Sequence, residues 1–498
     1  MPRIFRRPQL ALATTMLLLA APGPGDRAFE SSIRQLRQAV QRRAGSSQLP
    51  LLASLRQLRD PTLRPFFNRL VQHHDPLVRV HAILGLAETD ASARIDPALI
   101  RGLDSRHAQY AVIVNALETE LIDTAAIHEL LAGEGLHPGS RALLLAALVG
   151  RGQRVDPANV ARLADSDTLA TAGLAACVLA QLGEGDALVN YQRRLKSLPA
   201  DRRAAHLMEL FDRVSTYGLS AVAGWVQRTV QAPQTDQRLL AGGVSTVLAL
   251  DLARGVDLWR RSLGDDPDYS RCVRFALLLV EAGGGVDAQT YDQLPADDGL
   301  IGALVRAGTA ISNGSDPTAA LIELLDLGHQ GASSWALRAA GDLDHQRSAA
   351  VYLHAIDAVE GDPEGRDLRA QLAITATSRL FAIDPDALRG RLERAADDSL
   401  TQQVILMGLL DSRSPEAGEA AGGVKRIGFG KADSLAMLLI AKHAAVLGER
   451  ELDQLGVIAA GGGRISSVLQ AQTSWLYLKH TRKIERALSE TFADTREP

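Results

Sequence analysis

Ile95-Asp96-Pro97-Ala98-Leu99-Ile100 is the stretch on which the reading of the fold turns. An Asp followed by Pro and an apolar run fits the start of a helix. The Asp carboxylate accepts hydrogen bonds from free N–H groups of the first turn. Pro at the next position lacks an N–H that would be unpaired there anyway. Apolar residues on either side staple the entry angle. The phrase returns as Val155-Asp156-Pro157-Ala158-Asn159-Val160 and as Ile383-Asp384-Pro385-Asp386-Ala387-Leu388. Looser copies stand at 122–127, 286–291 and 315–320.

The offsets set a period. Asp96 to Asp123 is 27 residues, Asp123 to Asp156 is 33, and Asp287 to Asp316 is 29. Each interval holds a short first helix and a longer second one, such as 96–103 with 105–119 and 156–164 with 168–182. The second helices carry an apolar stripe at helical spacing, for example Tyr110, Val114 and Leu117. Glycines close several helices: Gly150 with Gly152, Gly183 with Gly185, the run 283–285, and Gly448. This pattern predicts an all-α chain, an α-solenoid of stacked antiparallel helix pairs.

Asp75-Pro76-Leu77-Val78-Arg79, with Ala82 and Leu86 following, resembles the second-helix signature of HEAT-type repeats. Asp60-Pro61-Thr62-Leu63-Arg64 matches its first half. His137-Pro138-Gly139-Ser140-Arg141, with Leu148, keeps the Pro, Arg and Leu but replaces the Asp, and Asp362-Pro363-Glu364-Gly365-Arg366 keeps Asp, Pro and Arg. The period of about 30 is shorter than the roughly 40–47 of HEAT and armadillo repeats. It is similar to the short HEAT-like repeats of bacterial proteins, including the phycobilin-lyase type. The resemblance is good over 50–185, partial over 260–410 and weak elsewhere. The expected organisation is a signal peptide at 1–25, N-terminal HEAT-like repeats at 26–185, and degenerate helical repeats at 186–260. C-terminal helical repeats follow at 261–487, then a polar, disordered tail at 488–498. No Pro/Ser-rich linker separates domains, and the glycine-containing loops 283–285 and 418–430 are the best candidate breaks.

Composition agrees with repeats. At 498 residues the chain exceeds a single globular core. It is 46% apolar but only 4% aromatic, so Ala and Leu, both strong helix formers, carry the core. With 54 basic and 58 acidic residues the net charge is −4, which gives no basic field for nucleic acid. Cys177 and Cys272 sit in apolar runs and read as buried thiols. Arg3, Arg6 and Arg7 precede the uncharged stretch 10–21, then Pro22-Gly23-Pro24-Gly25. That is the plan of a secretory signal, too short to span a bilayer, with cleavage expected after Gly25. Export to a periplasmic or extracellular space follows as the expectation, with no stable membrane span. The Arg6-Arg7 pair leaves the Sec and twin-arginine routes both open.

Candidate chemistry is sparse. His73-His74-Asp75 with His81 on the next turn is the best metal candidate, against which stands a loop-end His pair with a solvated helix His. The di-iron hydroxylases of HEAT-like architecture pair several His-Glu dipeptides across repeats, and only His128-Glu129 occurs here. The loop 422–431 is basic and Gly-rich, yet lacks the spacing of a phosphate-binding P-loop. It reads as an inter-repeat loop. Asp297-Asp298 and Asp397-Asp398 fit helix starts. Trp225, Trp259, Trp335 and Trp475 are spread singly along the chain and read as packing. No catalytic, cofactor-binding or metal residue is assigned. The expected function is a non-catalytic scaffold that binds protein partners through the concave face. Two alternatives stay open: an enzyme whose site assembles from distant repeats, and a passive structural spacer of the envelope.

Overall fold

The computed structural model describes residues 24–41, 48–90, 94–232, 235–264, 267–283, 285–295, 299–361, 365–424 and 428–493. Among them every regular element is helical. In chain order these are α1 (Pro24–Ala39), α2 (Gln48–Leu58), α3 (Arg64–Leu70), α4 (Pro76–Glu88), α5 (Pro97–Arg101), α6 (Arg106–Glu118), α7 (Thr124–Ala132), α8 (Pro138–Gly150), α9 (Pro157–Ala164) and α10 (Leu169–Gln181). Next come α11 (Asp186–Lys196), α12 (Ala200–Thr216), α13 (Ala223–Val230), α14 (Gln237–Leu250), α15 (Leu252–Leu263), α16 (Tyr269–Glu281), α17 (Ala288–Tyr291), α18 (Leu300–Ser312), α19 (Thr318–Asp326) and α20 (Gln330–Ala340). The last are α21 (His345–Asp357), α22 (Arg366–Ile383), α23 (Pro385–Arg394), α24 (Leu400–Leu409), α25 (Pro415–Gly422), α26 (Lys431–His443), α27 (Glu449–Val457), α28 (Ser467–His480) and α29 (Ile484–Thr491).

The Asp-Pro phrase starts helices as its chemistry requires. Oδ1 of Asp75 accepts from Leu77 N at 2.8 Å, that of Asp96 from Ala98 N at 2.8 Å, and that of Asp156 from Ala158 N at 3.0 Å. Asp123 and Asp384 cap α7 and α23 in the same manner. Two of the longer helices bury almost every side chain of their middle turns. In α10 the run from Thr171 to Leu179 is buried without interruption, and α8 buries Ala142 to Leu148. Small residues make this possible: a Cβ at Gly150 would collide with the Tyr217 carbonyl, and one at Gly173 would lie 2.7 Å from Cζ of Tyr191.

The longer helices form a circuit. α2, α4, α6, α8, α10, α12, α14, α16 and α18 pack each against the next, α19 to α22 continue the path, and α22, α24, α26 and α28 complete it. α28 then packs against α1 and α2, so the first and last parts of the described chain meet. Ala28, Leu52, Phe66 and Phe67 share one apolar cluster with Leu438, Ile458, Trp475 and Leu488. A second cluster runs from Val80 to Leu439 through the middle of the chain. It is continuous across the sequence divisions at 185/186 and 260/261, since Leu179, Leu188, Leu258 and Phe275 all belong to it. α4 and α26 each give one face to either cluster. Nothing in the sequence announced this closure.

Polar contacts stitch the seam. Ser54 Oγ donates to Val468 O at 2.6 Å, and Gln472 Nε2 to Ser54 O at 2.8 Å. Trp475 Nε1 donates to Thr62 Oγ1 at 3.0 Å, and Lys479 Nζ to Asp60 Oδ2 at 2.8 Å. Arg37 and Arg69 donate to the carbonyls of Glu490 and Leu488. The polar tail expected over 488–498 is therefore corrected in its first part. α29 continues to Thr491, Leu488 is 2% exposed, and the Phe492 ring stands 6.0 Å from that of Phe66. Apolar side chains at three- to four-residue spacing hold that turn on the core. Residues 494–498 lie outside the described residues, as do 1–23 of the expected signal peptide. Of the two expected breaks, 418–430 begins inside α25.

Candidate functional site

The His cluster of the sequence is not brought together around a common point. His73 and His74 stack with ring centres 4.3 Å apart, and His73 Nδ1 accepts from Asp75 N at 3.1 Å. His81 turns elsewhere, with Nδ1 3.3 Å from Arg56 Nη1. Arg56 is itself engaged by both oxygens of Glu88 at 2.8 and 2.5 Å. Among the described residues no group of three His, Cys, Asp or Glu side chains is placed to hold a metal ion. His128 lines a groove of about 600 Å³ between α7 and α9 with Arg141, Arg154 and Arg162, while Glu129 pairs with Arg101 at 3.5 Å.

Residues 425–427 of the Gly-rich loop, like Asp297-Asp298 and Asp362-Pro363-Glu364, lie outside the described residues. The described part of the loop is served by the chain's own carboxylates. Asp433 Oδ2 accepts from Gly428 N and Gly430 N at 3.0 and 3.2 Å, and Asp398 Oδ1 from Ala432 N at 2.9 Å. Both cysteines are buried, and burial pushes the Cys177 thiol far up. All four tryptophans are buried. Indole Nε1 of Trp259 donates to Phe275 O and that of Trp335 to Val280 O.

Trp225 is the exception, because its buried Nε1 has no partner among the described residues. It lines a cleft of about 850 Å³ walled by α11, α12, α13 and the start of α14. Leu195, Leu207, Met208 and Leu239 give it an apolar floor, with Met208 37% exposed. Lys196, Arg203, Arg228 and Arg238 stand around it against Asp201 and Asp236. Asp236 is committed to capping α14, accepting from Arg238 N at 2.8 Å. The four cations make no ion pair among the described residues. This cleft falls within 186–260, where the repeat phrase fades. The sequence signal was the high charge of α11 and the first turn of α12, which reads equally as a solvated face.

A smaller pocket of about 50 Å³ lies among α6, α8, α10 and α12, lined by Tyr110, Gly139, Thr171, His206, Glu209 and Arg213 with several apolar neighbours. His206, Glu209 and Arg213 recur at helical spacing on one side of α12. The Arg213 guanidinium lies 5.5 Å from the centre of the Tyr110 ring. Burial pushes the Tyr110 phenol above its ordinary range, Arg213 opposing and Glu209 adding to the effect, so it stands as a neutral hydroxyl. These residues come from four helices spread over about a hundred positions and no local motif joins them.

Two histidines make the folded chain acid-sensitive. Burial, then Arg56, lowers His81 to about 4, and burial with Lys442 and Lys479 lowers His443 to about 4. The unfolded value is near 6.5, so between these pH values the unfolded chain binds more protons. Their stabilising contribution is therefore fully present above about pH 6.5 and falls as pH drops towards 4. His81→Gln and His443→Gln are each expected to flatten that decline when urea midpoints are followed across the window. A decline identical to the parent's in both variants would contradict the assignment.

No family model matches the chain, and neither a curated protein nor a solved structure matches it. What fold and site define is an all-helical protein whose ends are joined, with no helix among the described residues long and apolar enough to cross a membrane.

Proposed function

We propose that the protein is an exported, non-catalytic scaffold built as an α-solenoid of HEAT-like helix pairs, which binds a protein partner. The observation that carries this reading is the cleft between α11 and α14. It joins an apolar floor to four cations that make no ion pair among the described residues, and that combination suits a partner segment bearing acidic and apolar side chains. The joined ends support it too. Terminal units of an open array need polar outer faces, whereas here each end covers the other and the frame is held in one shape. A rigid frame loses little freedom on binding. Among the described residues the first buried side chains are Ala28 and Phe29. Cleavage after Gly25 leaves them in the mature chain.

The test uses the mature chain from Asp26 as bait in the exported fraction of its host, with a photo-crosslinker at Met208. The expected result is a partner crosslinked through an acidic segment, retained by the parent and lost when Arg203 and Arg228 are both changed to Glu. Equal capture by parent and variant, or crosslinks to basic segments, overturns the cleft as the binding surface. Recovery of intact Met1 in the cytosol overturns export.

A further inference from the structure

We infer that the pocket among α6, α8, α10 and α12 is a binding site for a small carboxylate, separate from the cleft. α8 and α10 are helices of thirteen residues whose first turns open into it, through Gly139 from one and Ala170 and Thr171 from the other. Helix N-termini present unpaired N–H groups and the positive end of the dipole, which suits an anion. At four other starts in the circuit the chain fills that position itself. Asp75, Ser105, Asp236 and Asp268 cap α4, α6, α14 and α16. His137 and Thr168 make no capping bond at α8 and α10. His137 stands where the repeat phrase has Asp.

The side chains around the pocket point to the same ligand. Thr171 is 5% exposed, and its hydroxyl has no hydrogen-bond partner among the described residues. His206 Nε2 and Arg213 Nε are buried without partners there. Buried donors left unpaired are costly and uncommon, and these two, with the Thr171 hydroxyl and two uncapped helix starts beside them, are served together by one acceptor. A carboxylate offers two oxygens to the Arg213 guanidinium, the Thr171 hydroxyl, His206 protonated at Nε2 and the first-turn amides. The volume of about 50 Å³ admits a carboxylate on a short carbon stem, which would lie against Ala142, Leu174 and Leu210. Glu209 is exposed at the same pocket. Its charge repels a second negative charge, so the site favours a monoanion over a phosphate dianion.

The experiment is calorimetric titration of the full mature chain with sodium acetate against a sodium chloride reference at equal ionic strength. Parallel titrations use inorganic phosphate and a short peptide with a free C-terminal carboxylate beside its C-terminal amide. Saturable acetate binding is expected, roughly tenfold weaker or lost in Arg213→Gln and measurably weaker in Thr171→Val. Asp96→Asn should bind as the parent does. Peptide acid tighter than acetate, with the amide silent, assigns the natural ligand to a chain terminus; acetate as tight as the peptide assigns it to a free acid. Three results each overturn the site: a folded parent that binds neither, leaving water alone in the pocket; phosphate bound more tightly than acetate; or Thr171→Val equal to the parent. Thr171→Val nearly preserves shape and decides the matter if Arg213→Gln does not fold. Charge reversal at Arg203 and Arg228 should leave acetate binding unchanged, so failure here is distinct from failure of the cleft.

Discussion

Trp475→Ala is expected to cost about 3–5 kcal/mol, the range for truncating a large aromatic in a packed core. The indole is wholly buried, lies 5.8 Å from the Phe66 ring, and donates Nε1 to Thr62 Oγ1. Its removal leaves a cavity between α28 and the start of the chain and strips a partner from Thr62. The effect is also expected in shape. Trp335→Ala removes an indole of similar burial from the middle of the chain, where both neighbours remain sequential. It should lower stability without parting the ends. Trp475→Ala should in addition raise the radius of gyration in scattering, because it weakens the joint that closes the circuit. Urea unfolding gives the first quantity and small-angle scattering the second. A double-mutant cycle with Phe66→Ala should show coupling of about 0.5–1.5 kcal/mol. Equal radii for the two Trp variants would mean that the ends are held together by something other than this seam.

Asp60→Asn is expected to cost about 3 kcal/mol, whereas the same change at Asp75, Asp96 or Asp156 should be nearly silent. All four carboxylates cap helix starts, and Asn caps about as well as Asp. Asp60 alone is bound to a second duty. Its Oδ1 accepts from Thr62 N and Oγ1 at 2.9 and 2.7 Å, while Oδ2 holds Lys479 across the seam at 2.8 Å. Its side chain is 7% exposed and that of Lys479 26%, so neutralising Asp60 leaves a largely buried ammonium without a counter-charge. Ala in place of the other three should cost about 0.5–2 kcal/mol each, the loss of a cap.

Asp60 also carries a pH signature. Burial pushes its carboxyl up, but the hydrogen bonds from Lys479 and Thr62 outweigh burial and hold it below the ordinary 3.8. A carboxylate depressed on folding contributes stability that is fully present above about pH 3.8 and is lost as pH falls through the folded value. Asp60→Asn should therefore remove part of the acid limb below that found for His81 and His443. Melting curves of the four Asn variants, taken near neutral pH and again near pH 3, check both claims. An Asn at Asp60 as silent as that at Asp96 would show that the Lys479 pair adds nothing to the seam.

These two predictions divide along the line between local and distant information. Asp60, Asp75, Asp96 and Asp156 look alike in the sequence because a helix cap is complete within two or three residues. Carboxylate, Pro and first-turn amide are neighbours in the chain, and their chemistry needs no tertiary context. The all-helical character and the starts of α4, α5, α7, α9 and α23 were legible for that reason, and the burial of both cysteines from the apolar runs around them. The 186–260 stretch was legible as helix but not as a cleft, since charged turns read the same on a solvated face and around an opening.

The meeting of the ends had no signature at all. Thr62 and Trp475 are 413 positions apart. Whether they touch depends on a small rotation between each helix and the next, summed over the whole circuit. No single pair of helices encodes that sum. The inner pocket is of the same kind: Tyr110, Thr171 and Arg213 each read as ordinary helix residues, and only the packing of α12 across α8 and α10 brings them to one pocket. Local hydrogen bonding is written in short phrases, so the sequence by itself determined the helices and their starts. The path of the helices depends on every packing contact along it, so only the tertiary structure decided that the first and last described helices meet and where the openings lie.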